Sequence, residues 1–597
     1  MHRRVAMATI LGALTVPAAG RASAPVNPIA EVQNLAVSGE RSAEWSSPST
    51  LAQVASATLV YQQQRAAIKQ HDPGRDPDPN SCTTGLLCPV DPYLNHFADG
   101  DGIVEPVLYT ARDGATISGH VWATRTGPAS RPGIVLITGS IVGYEQGYWY
   151  LAQALAKSGF VVLTFDVQGE GDSDQFGAPP DQLEDLIAGT PPIGAGGGFY
   201  DGGEDAIDFL LSTRSHPYVP VPSRSTGTSH AAKQAQRVAQ GLDNGYDPLW
   251  QMLDPNEIGV AGHSYGAEAA SWIGQQDPRV KAVVALDNLC VPTWPIPTEV
   301  DAFVTDFTTY GNLLAAPSIY GLPPECFGAT AGPAPAMTKP SLGISADYLV
   351  PTPYLTAPNP QFKEAASLDF SKAGADSGEV VIRGGTHLDF ADVPVPGLPA
   401  SLRGADLVAW YTTAWFQKYL LHDPAADARL TTSRWRDDAA TGQVDPGHDP
   451  NVFSYDYLSR MDITLANGTR FDCENLRAGC SGQTTAADDC GSASYSYRAL
   501  DTAPDTSDNE QCETPSSAPA PHSCPATRAV TLTLPRVHGA IVRAAVYVDG
   551  RRLALEHGRR LRTIHVRVPA TRATTVLVVS VGRGGVRRTL RRTLPGC

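Results

Sequence analysis

The stretch IGVAGHSYGAEAASWIG (residues 258–274) carries the pattern Gly262-x-Ser264-x-Gly266. An apolar run, Ile258–Ala261, precedes it, and a good helix former, Ala267–Ile273, follows. That setting predicts a strand, a sharp turn and a helix, with Ser264 held exposed on the turn. Glycines at 262 and 266 let strand and helix approach closely. An ordinary glycine-rich turn would use the same residues, and it is the flanking runs that favour the strained elbow. A serine hydroxyl is a weak nucleophile until a base takes its proton, and the base needs a carboxylate to orient it. His387 follows the run EVVIRGG, and Asp347 follows PSLGIS, so each stands just past a predicted strand. His387 is the expected base and Asp347 the expected acid. Asp287, at the end of VKAVVALD, is the alternative acid. Asp389 is too close to His387 to orient it, and His263 should point away from its neighbour Ser264. Acyl transfer also needs donors for an oxyanion. The backbone N–H of Tyr265 is one, and Ser140 or Ile141, after GIVLITG, supplies the other.

From Ile103 to Leu421 apolar runs of four to seven residues alternate with helical stretches. That alternation predicts an α/β domain with a doubly wound, mostly parallel sheet. The runs are VEPVLYT, ISGHVWAT, GIVLITG, FVVLTFD, IGVAG, VKAVVALD, PSLGIS and EVVIRGG. Ligand sites gather at the C-terminal ends of such strands, where the proposed residues lie. Tyr144, Trp149, Trp294 and Tyr348 flank them in sequence and are expected pocket or core aromatics. Two insertions could shape the pocket. One is 175–200, ending in GAGGGFY, and the other is 288–338, a possible lid bracketed by Cys290 and Cys326. The Gly run lacks the GK[ST] of a phosphate loop.

The rest of the chain reads as additions to that domain. Residues 1–24 resemble an export signal: Arg3 and Arg4, an apolar stretch from Val5 to Val16, then Ala22-Ser23-Ala24. Secretion to an extracellular, oxidising setting would suit ten cysteines, paired by the simplest rule as 82–88, 290–326, 473–480, 490–512 and 524–597. Zinc is the competing reading, but there is no CxxC and no histidine pair at ligand spacing, so no metal is expected. The expected layout is a signal peptide (1–24), an N-terminal extension (25–97), the α/β domain (98–421), a disulfide-rich extension (422–524) and a small all-β module (525–597). With 42% hydrophobic residues, global disorder is excluded. The net charge of −16 argues against nucleic acid as a partner of the whole chain. Residues 525–597 carry fifteen Arg against Asp549 and Glu556, a net of +13, which leaves −29 on the residues before them. The strands of this module alternate strictly, as in TIHVRVP, which suggests a β-sandwich. Its arginines suit an anionic cell-envelope surface, or the acidic body of the same chain.

Across 98–421 these residues resemble the α/β-hydrolase superfamily. FDVQGEGDSD, with Asp166, Gly169, Gly171 and Ser173, is similar to the superfamily's D-x-x-G-x-G-x-S turn. The elbow and DYLVP resemble the dienelactone-hydrolase and cutinase-like branch, and GGTHLDFAD the platelet-activating-factor acetylhydrolase-like enzymes. The chain departs in having Tyr265 where cutinases usually carry Met. The resemblance implies an α/β-hydrolase fold and a cofactor-free serine esterase or lipase acting on a small or polymeric ester. A prolyl-oligopeptidase-type peptidase shares the triad, but no propeller-like repeat occurs here. A non-catalytic surface-binding protein is the third reading, which the intact serine, acid and histidine disfavour.

Overall fold

In the computed structural model the eight apolar runs form eight strands of one ten-stranded mixed sheet with helices on both faces. The structure describes residues 48–77, 94–140, 144–187, 197–287, 289–292, 335–348, 360–391, 402–434, 451–454 and 457–480. In the C-terminal unit it describes 527–534, 540–548, 551–569, 574–583 and 587–594. The expected signal peptide, Ile141, Trp294 and most of 288–338 lie outside these residues.

The strands are β1 (Gly102–Thr110), β2 (Thr116–Thr124), β3 (Arg131–Ile137), β4 (Val161–Phe165), β5 (Leu253–His263), β6 (Val280–Leu286), β7 (Ser341–Tyr348), β8 (Ser377–Thr386), β9 (Arg460–Thr464) and β10 (Arg470–Cys473). Their order across the sheet is β1-β2-β4-β3-β5-β6-β7-β8-β9-β10. The six strands from β4 to β8 run parallel, while β1, β2, β9 and β10 are antiparallel at the two edges. β3 and β4 are buried along their whole length, as a strand covered on both faces must be.

Seven helices of nine residues or more are described: α1 (Pro48–His71), α2 (Trp149–Lys157), α3 (Gly197–Leu210), α4 (Ala231–Ala239), α5 (Tyr265–Gln276), α6 (Pro360–Lys372) and α7 (Leu402–Leu420). One core lies under α2 and α7, which bury Leu151, Leu155, Leu407, Tyr411 and Trp415. The spacing of the last three is that of a single helical stripe. A second core lies under α3 and α5, and α6 packs Ala366 and Phe370 beside Ala267 and Ala285. The chain leaves β3 toward β4 and later returns to β5 on the other side of β3. Connections therefore diverge between β3 and β5, and in open α/β sheets ligand sites gather at the C-terminal strand ends of such a switch point.

Both expected extensions are fastened to this body. Tyr61 donates to Asp172 at 2.9 Å, and Arg237 holds Asp72 with two bonds of 3.0 and 2.7 Å. From the segment expected to begin a separate extension at 422, β9 and β10 join the main sheet. The disulfide Cys473–Cys480 follows β10. Each of the other four pairings has at least one partner outside the described residues.

Residues 513–597 form a second compact unit. β11 (Thr527–Thr533) pairs with β14 (Thr563–Pro569), and β13 (Arg551–Leu561), β12 (Ile541–Val548), β15 (Thr574–Gly582) and β16 (Arg587–Leu594) make a four-stranded sheet. The two sheets share a core of Leu532, Val546, Ile564, Val566 and Val578.

Candidate active site

Ser264 sits between β5 and α5 with φ 56° and ψ −120°, a backbone conformation that L residues rarely adopt. Its N–H donates to the Leu286 carbonyl at 2.9 Å, and its own carbonyl accepts from Ala267 (2.9 Å) and Glu268 (3.2 Å). The two glycines of the motif are sterically required. A Cβ on residue 262 would stand 2.1 Å from the Gly266 carbonyl oxygen. One on residue 266 would stand 2.4 Å from that of Thr138. The motif therefore packs the start of α5 against the end of β3.

His387 opens a short 3-10 helix directly after β8. Asp389 is part of that turn and accepts the Thr386 N–H at 2.7 Å. The carboxylate against the imidazole is Asp287. The Nδ1–H of His387 donates to Asp287 Oδ2 at 2.6 Å, which leaves Nε2 as the basic nitrogen. Asp287 is the first residue past β6 and has φ 46°. Its N–H donates to the Ile344 carbonyl at 2.9 Å, and its Oδ1 accepts the Ala346 N–H at 3.3 Å. Burial alone would raise this carboxyl, but the Lys363 ammonium and the His387 hydrogen bond hold it well below the usual carboxylate range.

The expected acid, Asp347, is engaged elsewhere. It lies inside β7 rather than after it. Its Oδ2 accepts the Gly384 N–H at 2.6 Å and its Oδ1 accepts the Ser454 hydroxyl. It thus ties β7 to the strand end that carries His387 and to a segment beyond residue 450.

His263 is buried beside the pair, its ring 4.6 Å from that of His387. Burial, and then the neighbouring His387, push it well below the usual histidine range, so it is neutral. Gly139 N–H donates to the Tyr148 hydroxyl at 3.0 Å, and that hydroxyl reaches His263 Nδ1 at 2.7 Å. Tyr148 therefore links the loop after β3 to His263, the residue before Ser264, a contact the sequence did not reveal. Ser140 follows β3, and its hydroxyl donates to Glu170 Oε1 at 3.3 Å. Glu170 belongs to the FDVQGEGDSD turn, which closes on Asp166 by accepting the N–H groups of Glu145 and Asp172, both at 2.7 Å. The Tyr265 N–H is the first of α5, directly after Ser264.

The flanking aromatics fare differently. Tyr144 is buried at the start of the 3-10 helix Glu145–Tyr148. Trp149 packs on His120 and Trp122, with ring centroids 5.3 and 5.5 Å away, and belongs to the core. Tyr348 is the last residue of β7 and pairs with Thr386. A cleft of about 690 Å³ lined by Phe97, Thr124, Lys157 and Gln417 lies where β3 and β4 begin, at the opposite ends of the strands from Ser264.

Among the described residues no group of three or more His, Cys, Asp or Glu side chains could hold a metal ion. Nor is any described helix long and apolar enough to cross a membrane. No protein-family model matches the chain, and no curated protein matches it.

Proposed function

We propose that the chain is a secreted serine carboxylic-ester hydrolase, esterase- or lipase-like, with an α/β-hydrolase catalytic domain. The observation that carries this reading is the strained Ser264 elbow after β5 together with the His387–Asp287 pair, which stands at the C-terminal ends of β8 and β6 in the same run of parallel strands. Ser264 Oγ attacks the ester carbonyl while His387 Nε2 takes its proton. Asp287 keeps the imidazole in the required tautomer and stabilises the imidazolium. The Tyr265 N–H and a group at Ser140 or Ile141 stabilise the oxyanion. His387 then protonates the leaving alcohol, and water, deprotonated by the same imidazole, releases the acid from Ser264. These steps use only side chains, backbone and water.

The reaction is tested with p-nitrophenyl esters of graded acyl length against peptide p-nitroanilides. Ester turnover without anilide turnover is expected. The reverse would favour the peptidase reading and overturn this one.

We infer also that the C-terminal unit binds an anionic envelope surface. In β16 the residues alternate across the sheet, so Arg588 and Arg592 share the face of Ser580 and Val576 while Arg591 shares that of Leu577. All three arginines are exposed. Strand β16 thus presents cationic side chains in both directions, a geometry that suits bidentate binding of phosphate or carboxylate.

A further inference from the structure

Asp287 is shared. His387 Nδ1 lies 2.6 Å from Oδ2, and the Lys363 ammonium lies 3.6 Å from Oδ1. Lys363 comes from α6, and its side chain is only 8% exposed. Its ammonium also stands 5.8 Å from the centre of the Tyr457 ring. A buried ammonium is held in place by what it pairs with, and here its carboxylate is the one that orients the base. We propose that Lys363 is a positioning residue of the catalytic pair: it fixes the Asp287 carboxylate and weakens that carboxylate's hold on the protonated imidazole. The proposal rests on the reading of Asp287 and His387 as the catalytic acid and base.

Electrostatics gives the direction. An imidazolium at one carboxylate oxygen and an ammonium at the other repel each other across a buried site. The lysine therefore favours neutral His387, the form that can take a proton from Ser264. Other charged groups face the same cluster. From β5 comes His263, which is neutral. From β8 comes Glu379, buried and held by the Ser345 hydroxyl. Burial raises the Glu379 carboxyl to about 8, while Lys363 lowers it and Asp287 raises it. Next to Lys363 on α6, Glu364 is likewise raised by burial to about 8. From β7, Asp347 is turned toward Gly384 and Ser454. Burial thus pushes both glutamates toward the neutral form, and the Lys363 ammonium is the cation at Asp287 Oδ1.

The test compares wild type with Lys363→Met and Lys363→Arg in the full chain, with thermal melts to establish folding. The readouts are the pH profile of kcat/KM on p-nitrophenyl butyrate and the titration of the His387 Nδ1 proton resonance. In Lys363→Met both midpoints should move up by about one pH unit, the scale expected of a lost charge several ångströms away. In Lys363→Arg they should stay within a few tenths of a unit of wild type. Should Lys363→Met not fold, Lys363→Gln carries the same comparison. Unmoved midpoints in a folded neutral variant would overturn the proposal. The resonance separates this failure from that of the esterase reading: a chain without ester turnover whose resonance still shifts loses the activity but keeps the role of Lys363.

Discussion

Asp287 and Asp347 end neighbouring strands, and one of them touches the imidazole. The spacing of apolar runs located both, together with Ser264 and His387, because strand ends are legible from sequence. Which carboxylate turns toward the histidine is not legible, since it depends on a positive φ at Asp287 and on a strand that carries Asp347 past its expected end. Asp287→Asn should cost on the order of 10⁴ in kcat, because it removes the charge that stabilises imidazolium. Asp347→Asn should cost far less in rate and show instead as a lower melting temperature. Steady-state kinetics and melts of the two variants decide this, and a crippled Asp347→Asn beside a near-normal Asp287→Asn would reverse the assignment. Glu379 gives a prediction for pH. Its carboxyl, at about 8 in the fold against an ordinary 4.5, keeps its proton where the unfolded chain has lost it. Stability tied to this group is therefore fully present below 4.5 and falls as pH rises toward 8. Glu379→Gln should flatten that decline in urea unfolding midpoints taken across the window, and an unchanged slope would remove Glu379 as its source.

At the scale of elements, eight apolar runs read from the sequence correspond to β1 through β8. Buried parallel strands leave that signal because both faces exclude water. What remained hidden were β9 and β10, a short hairpin in a polar segment without periodicity, which joins the sheet where β9 pairs with β8, remote in sequence. The arginine doublets of the last strand do not share one face: Arg591 and Arg592, adjacent along β16, must divide between two. The elbow is where element and site depend most on each other. Gly266→Ala would drive a methyl into the Thr138 and Ile137 carbonyls, which the ends of β3 and α5 can relieve only by separating. A loss of about 1–3 kcal/mol in chemical unfolding is expected, with ester turnover falling further than stability. A variant as stable and active as wild type would show that the close approach is not needed.

The molecule as a whole divides its charge, with +13 in the last 73 residues and −29 before them. A chain that joins a cationic unit to an acidic one suits the proposed reading, an ester hydrolase held at an anionic surface. Replacing Arg588, Arg591 and Arg592 together by Gln in the full chain should leave soluble-ester turnover unchanged and reduce retention on phosphatidylglycerol vesicles at low salt. Equal retention would remove the surface role. The proposed chemistry turns on one atom, Ser264 Oγ, and one measurement reaches it directly. A fluorophosphonate probe should form a single stoichiometric adduct, located by mass spectrometry of peptides to the segment containing Ser264. The adduct should vanish in Ser264→Ala, together with all but roughly 10⁻⁴–10⁻⁶ of the ester turnover. An adduct on another residue, or a Ser264→Ala protein that keeps a tenth of its activity, would contradict it.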